Sequence, residues 1–199
     1  AGIRSRQPFA EANSRLGWLV ILATIPAGLA GLLLKDQVEA AFSDPKLTAV
    51  MLFVTAVLLT LSEVLSKKTR ETSELTWLDS LIIGLFQALS IFPGISRSGA
   101  TISGGLFRGL KRQDAARFAF LLAIPIMTAA GVMALKDLFS VPGLASFLPL
   151  VLIGFVIAGL VGYFVIRWFL GFLKTRSMLP FALYCGLLSV AVLLIMGIR

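Results

Sequence analysis

Five stretches of this chain, 16–34, 47–65, 118–135, 147–166 and 178–198, run almost free of charge. A hydrocarbon layer of ~30 Å is crossed by ~20 apolar residues in an α-helix, and each stretch is about that long. They are continuous rather than alternating over short segments, which speaks for helices and against a transmembrane barrel. Charged residues make up 14% of the chain, against about 25% in soluble domains. Hydrophobic residues make up 58%, too many for one small soluble core. The expected fold is an all-α integral membrane protein: five transmembrane helices plus one re-entrant helix-turn-helix, in a single membrane domain over 1–199.

The re-entrant element is expected at 78–110, between the second and third spans. Its two apolar arms, 78–92 and 101–110, are each too short to cross. Charge provides an independent test. If the segment dips in and returns, one face collects Arg4, Arg6 and Arg15, Lys67, Lys68 and Arg70, Arg108, Lys111, Arg112 and Arg117, and Arg167, Lys174 and Arg176. The other face holds the acidic-to-neutral stretches KDQVEAAFSDPK and Lys136-Asp137, with Arg199 the exception. That asymmetry follows the positive-inside rule and makes the basic face cytoplasmic. A single crossing would destroy it.

The net charge of +8 is therefore read as loop charge facing a membrane, not as a nucleic-acid surface. No basic-aromatic face is visible, and no nucleic-acid partner is expected. The chain has no histidine, which excludes Ser-His hydrolysis and histidine-ligated metals within these residues. Its single cysteine, Cys185, lies in an apolar run and reads as a packing residue. Pro26 and Pro125 fall inside spans and predict kinks. The start, AGIRSRQPFAEANSR, has no initiating Met and no signal-peptide core, so a longer protein is expected.

Between the short arms stands IFPGISRSGAT, residues 91–101. Non-helical backbone at membrane depth persists only where it is buried in protein or lines a wet cavity. Pro93 ends the first arm because it has no amide to donate, and Gly94 gives the turn its freedom. Ser98 or a neighbour is expected to cap the second arm, with Thr101 in its first turn. The second arm then turns its N-terminus, with free N–H groups, toward the turn. Arg97 adds a permanent planar cation suited to phosphate or carboxylate, and an arginine at depth marks function. With the hydroxyls of Ser96, Ser98 and Thr101, the stretch reads as an oxyanion site for phosphate. Gly104 and Gly105 would admit a close neighbour.

The competing structural reading pairs Arg97 with Glu63 or Asp79 and turns the hydroxyls onto their own helix. Gln87, mid-arm, wants a partner at depth and serves either substrate or packing. Glu63 reads as a solvated interfacial pair with Lys67 and Lys68. Arg108, Lys111, Arg112 and Arg117 read as a solvated loop or as contacts to lipid headgroups. No acidic pair with metal-ligand spacing stands near the turn. An anion transporter or channel, or a structural membrane subunit, is the alternative to an enzyme.

FPGISRSGATISGG, preceded by GLFQALS and followed by FLLAIPIM, closely resembles the second signature of undecaprenyl-diphosphate phosphatases, the bacterial inner-membrane enzymes also called bacitracin-resistance proteins. Their pattern P-G-x-S-R-S-x-x-T is matched at Pro93, Gly94, Ser96, Arg97, Ser98 and Thr101. The resemblance implies hydrolysis of undecaprenyl diphosphate to the monophosphate carrier of cell-wall synthesis, on a fold with two re-entrant pairs. It also implies a diphosphate clamped by Arg97 and bonded by Ser96, Ser98 and Thr101, with a serine considered as nucleophile. The family's first motif, two glutamates four residues apart and then Pro-x-Ser-Ser-x-Gly-His, has no counterpart here. The Mg²⁺ or Ca²⁺ implied by the family is accordingly expected to find its ligands outside this chain. The 199 residues alone are expected to bind diphosphate weakly without hydrolysing it.

Overall fold

A computed structural model describes residues 12–139 and 144–197. Arg4, Arg6 and Arg199 lie outside the described residues. Five helices are long and apolar enough to cross a membrane: α1 (Ala12–Leu33), α3 (Pro45–Leu65), α6 (Arg112–Phe139), α7 (Leu144–Phe172) and α8 (Leu179–Gly197). The chain is a multi-pass membrane protein. A short helix, α2 (Lys35–Phe42), fills the loop after the first span, where only a polar connection is expected from sequence. α3 then starts on Asp44, whose carboxylate accepts from the Lys46 and Leu47 amides at 2.9 and 3.1 Å, with Pro45 at the first helical position.

Between α3 and α6 the chain forms a hairpin of α4 (Trp77–Leu89) and α5 (Arg97–Phe107). With 13 and 11 residues, the arms reach about 20 and 16 Å at 1.5 Å per residue, short of a ~30 Å hydrocarbon layer. The strands of chain entering and leaving the hairpin are stitched together. The Thr69 and Arg70 amides donate to Gly109 O at 3.0 and 2.9 Å, and the Lys111 amide donates to Arg70 O at 2.8 Å. Both ends of the hairpin therefore lie on one side of the molecule. Arg15 joins them there by donating to Leu75 O at 2.6 Å, and the α7–α8 connection joins through the Met178 amide, which donates to Glu63 at 3.1 Å.

α1 packs on α4 and α6, α5 lies between α4 and α6, and α3 packs on both α5 and α8. In a lipid environment such contacts rest on close packing and hydrogen bonds rather than on the hydrophobic effect, and the seams are built accordingly. A Cβ at Gly84 would stand 2.4 Å from Ala23 O of α1, and one at Gly105 would stand 2.9 Å from Ala115 Cβ of α6. Gly104 sits against the Phe86 ring instead of a backbone. Ser62 of α3 and Ser103 of α5 share a hydrogen bond of 3.1 Å, and Ser189 of α8 donates to Ala49 O at 2.6 Å. α7 touches the rest mainly at its end, where Phe169 and Phe172 pack edge-on against Phe181. Cys185 is buried and free, as its apolar setting predicts.

The charges at the base of the hairpin correct the sequence reading. Asp79 is fully buried. Its carboxylate accepts from Arg108 Nε at 2.5 Å, from Arg70 Nη2 at 2.7 Å and from the Thr76 amide at 2.9 Å. Burial opposes its ionisation, but the bonds from Arg70, Thr76 and Arg108 outweigh burial and hold the carboxyl well below the usual range. Glu63 is 5% exposed, not solvated. It accepts from Arg112 Nε at 2.9 Å and from the Met178 amide, with Lys68 Nζ at 3.4 Å, while Lys67 is exposed and takes no part. Of the four cations expected in a solvated loop, Arg108 and Arg112 instead lock buried carboxylates, and Lys111 pairs with Glu71 at 2.6 Å. The partners lie 29 and 49 residues apart in sequence, which is why local reading assigned Glu63 to its lysine neighbours.

Candidate functional site: the turn between α4 and α5

Gly94 has φ +93°, in the region open to glycine. A Cβ there would also stand 2.1 Å from Thr48 O of α3. Two independent constraints therefore require glycine. The turn is held on α3 by Thr55, which the sequence reading missed. Its hydroxyl donates toward Gly94 O at 3.2 Å and accepts from the Ser96 amide at 3.0 Å. The only signal for it was a hydroxyl in the middle of an apolar span.

Of Ser98 and its neighbours, it is Ser96 that caps α5. Ser96 Oγ accepts from the Gly99 amide at 3.2 Å, and the Ala100 amide returns to Ser96 O at 2.8 Å. The amides of Arg97 and Ser98 are left unclaimed by the cap. α5 therefore starts earlier than the expected arm, and Arg97 is its first helical residue. Ser98 is exposed, with its Oγ 3.5 Å from Ser96 Oγ. Thr101 is 1% exposed, and its hydroxyl donates back to Arg97 O at 2.8 Å and Ser98 O at 3.2 Å. It braces the first turn from beneath rather than facing the open side.

Arg97 is half-buried. Its Nη1 lies 3.5 Å from Met127 Sδ of α6, and among the described residues no carboxylate pairs with it. The carboxylates that the structural reading offers it, Glu63 and Asp79, are both occupied by other cations at the far end of the hairpin. A permanent planar cation, two free amides at a helix start and two serine hydroxyls thus meet at one place. Each can donate to an oxyanion, and among the described residues no acceptor saturates them.

Gln87 is 1% exposed, and among the described residues neither its Oε1 nor its Nε2 has a partner. It shares the face of α4 that carries Ser80 and Gly84, which lies on α1, where Ser80 Oγ donates to Leu19 O. An orphaned buried amide costs about 1–3 kcal/mol. Among the described residues no group of three or more Asp, Glu, His or Cys could hold a metal ion. The described residues at the turn therefore do not by themselves fit the divalent cation that the resemblance implies.

A multi-pass helical membrane protein with a short helical hairpin, whose turn carries an arginine without a carboxylate among the described residues, is the class that the fold and site define. Residues 1–191 match the family described as bacitracin resistance protein BacA, and the chain belongs to that family. It is 46% identical over 189 residues to the undecaprenyl-diphosphatase of Mycolicibacterium smegmatis, covering 94% of this chain and 68% of that protein. It is 44% identical over 183 residues to that of Thermobifida fusca, covering 91% and 61%. With that of Myxococcus xanthus it shares 40% over 195 residues, covering 98% and 65%. The chain thus spans about two thirds of the length of these relatives. All three bear the name of a phosphatase, which speaks against the transporter and structural alternatives.

Proposed function

We propose that this chain is the part of an undecaprenyl-diphosphate phosphatase of the bacterial inner membrane that grips the diphosphate, in an enzyme that releases phosphate from undecaprenyl diphosphate and returns the monophosphate carrier to cell-wall synthesis. The observation that carries this reading is Arg97: a half-buried guanidinium at the first turn of α5, without a carboxylate among the described residues, beside amides and hydroxyls. In the reaction the bond from the terminal phosphorus to the bridging oxygen breaks. Water supplies the new oxygen on that phosphorus, and undecaprenyl phosphate leaves. Charge grows on the phosphoryl and bridging oxygens, where fixed donors help most.

In this reading the α4–α5 hairpin is re-entrant and carries the turn to membrane depth. Arg97 spans two phosphate oxygens, and the backbone of Gly94 keeps the turn open to them. Ser98, with its exposed hydroxyl, contacts phosphate directly. Ser96 contributes mainly by starting the helix and Thr101 by bracing it. Gln87, 1% exposed on the face of α4 that packs on α1, is assigned no contact with the headgroup. The divalent cation belongs to carboxylates that the described residues do not provide at the turn, and no step is assigned to it here.

The test is Arg97→Lys in the full-length protein, in membranes or detergent with undecaprenyl diphosphate. It keeps the charge and loses the fork. Loss of phosphate release with unchanged folding supports the reading, whereas loss of folding with activity per folded molecule intact refutes it. No base stands at the turn among the described residues, so the purified 199-residue chain should bind polyprenyl diphosphate without turnover. Metal-dependent phosphate release from it would contradict that expectation.

A further inference from the structure

The basic face carries a cavity that the phosphatase reading does not use. It has a volume of about 270 Å³ and lies where three connections meet, lined by Lys68, the Lys111–Asp114 turn that opens α6, and Leu173-Lys174 after α7. It stands at the base of the hairpin, the opposite end from Gly94 and Arg97. Buried Leu173 forms part of its wall.

Four of its side chains are cationic: Lys68, Lys111, Arg112 and Lys174. Asp114 is the lining carboxylate, and its Oδ1 is occupied by the Thr72 hydroxyl and amide at 2.6 and 3.1 Å. Glu63 serves both Lys68 and Arg112, and Glu71 serves Lys111. Lys174 has no carboxylate partner among the described residues. Positive charge therefore exceeds negative around a concave space, a different situation from cations spread over a solvated loop. The cavity also lies at the level where apolar spans end. Val64 and Leu65 close α3 with 68% and 67% exposure, and Trp168 near the end of α7 is 59% exposed. Exposed apolar ends beside a basic pocket are the setting in which helical membrane proteins meet anionic headgroups.

We propose that this cavity is a second oxyanion site, separate from the turn, that takes the phosphate of an anionic phospholipid headgroup while its acyl chains lie along the exposed ends of α3 and α7. Free inorganic phosphate shares the chemistry but lacks the chains. The proposal rests on the membrane setting and on the cavity, not on catalysis at Arg97.

The experiment uses the whole chain in nanodiscs of mixed phosphatidylglycerol and phosphatidylcholine, released into native mass spectrometry. The wild type is expected to retain phosphatidylglycerol in preference to phosphatidylcholine. Lys174→Glu is expected to reduce that retention at least about fivefold, on the scale of one surface cation, and Lys174→Arg to preserve it. Circular dichroism and thermal melting check that the variants remain folded, which exposed Lys174 favours. Equal retention of both lipids by the wild type, or unchanged retention in Lys174→Glu, overturns the proposal. Inorganic phosphate at millimolar concentration forms the second arm. Persistence of the bound lipid supports the headgroup assignment, and its displacement assigns the cavity to the free anion and overturns the lipid assignment.

Discussion

The two ends of the α4–α5 hairpin use the same residue type in opposite ways. At the base, Arg70, Arg108 and Arg112 are spent on two buried carboxylates, Asp79 and Glu63. At the tip, Arg97 faces no carboxylate among the described residues and rests on a methionine sulfur. Neutralised arginines fix geometry, and an unneutralised one is available to a ligand. The base clamps both ends of a short helical pair to one side of the molecule. The tip is then determined by the hairpin and by one threonine of α3. Substitutions at the base should therefore be read out in stability and those at the tip in activity.

The largest effect is expected from Asp79→Asn. Removing one partner of a buried ionic cluster costs about 3–5 kcal/mol, so thermal unfolding in detergent should shift strongly downward. Acid adds a check of sign. The folded carboxyl of Asp79 titrates below its unfolded value of about 3.9. Its contribution is complete above that value and is withdrawn as pH falls below it. The wild type should lose stability there more steeply than Asp79→Asn. Equal acid sensitivity would deny Asp79 its place at the base.

In the full-length phosphatase Arg97→Lys should lower kcat/KM by ~10²–10³, the scale of one transition-state donor, with the melting temperature unchanged. A stability loss like that of Asp79→Asn would erase the contrast between the two ends. Thr55→Val comes next. It leaves Gly94 O and the Ser96 amide without their shared partner, at about 1–3 kcal/mol, and should lower both stability and turnover because it loosens the tip without touching substrate. The smallest effects separate the serines. Ser96→Ala should cost about 1 kcal/mol of stability as a lost cap. Ser98→Ala should leave stability alone and raise KM. The reverse pattern would mean that Ser98, not Ser96, starts the helix.

The spans were legible because hydropathy adds up along consecutive residues and the bilayer sets a single length. The hairpin was legible because loop charge reports sidedness. Ser96 and Ser98 were harder to tell apart. They lie two residues apart in one motif, and only the dihedral angles at the turn decide which hydroxyl faces the helix start. Glu63 was misread for another reason. Lys67 and Lys68 are close in sequence, but its strongest partner, Arg112, arrives through the packing of α6 against α5 and the α3 end. Thr55 and Gly94 meet only because the turn docks on α3.

The residue order alone thus determined an all-helical membrane chain, its apolar spans and the location of the turn between two short arms, because each depends on a run or a motif of neighbouring residues. Tertiary structure alone decided which arginines are neutralised, which hydroxyls remain outward and why glycine is required at position 94. Those outcomes depend on contacts between helices far apart in sequence, and such contacts leave no trace in local pattern.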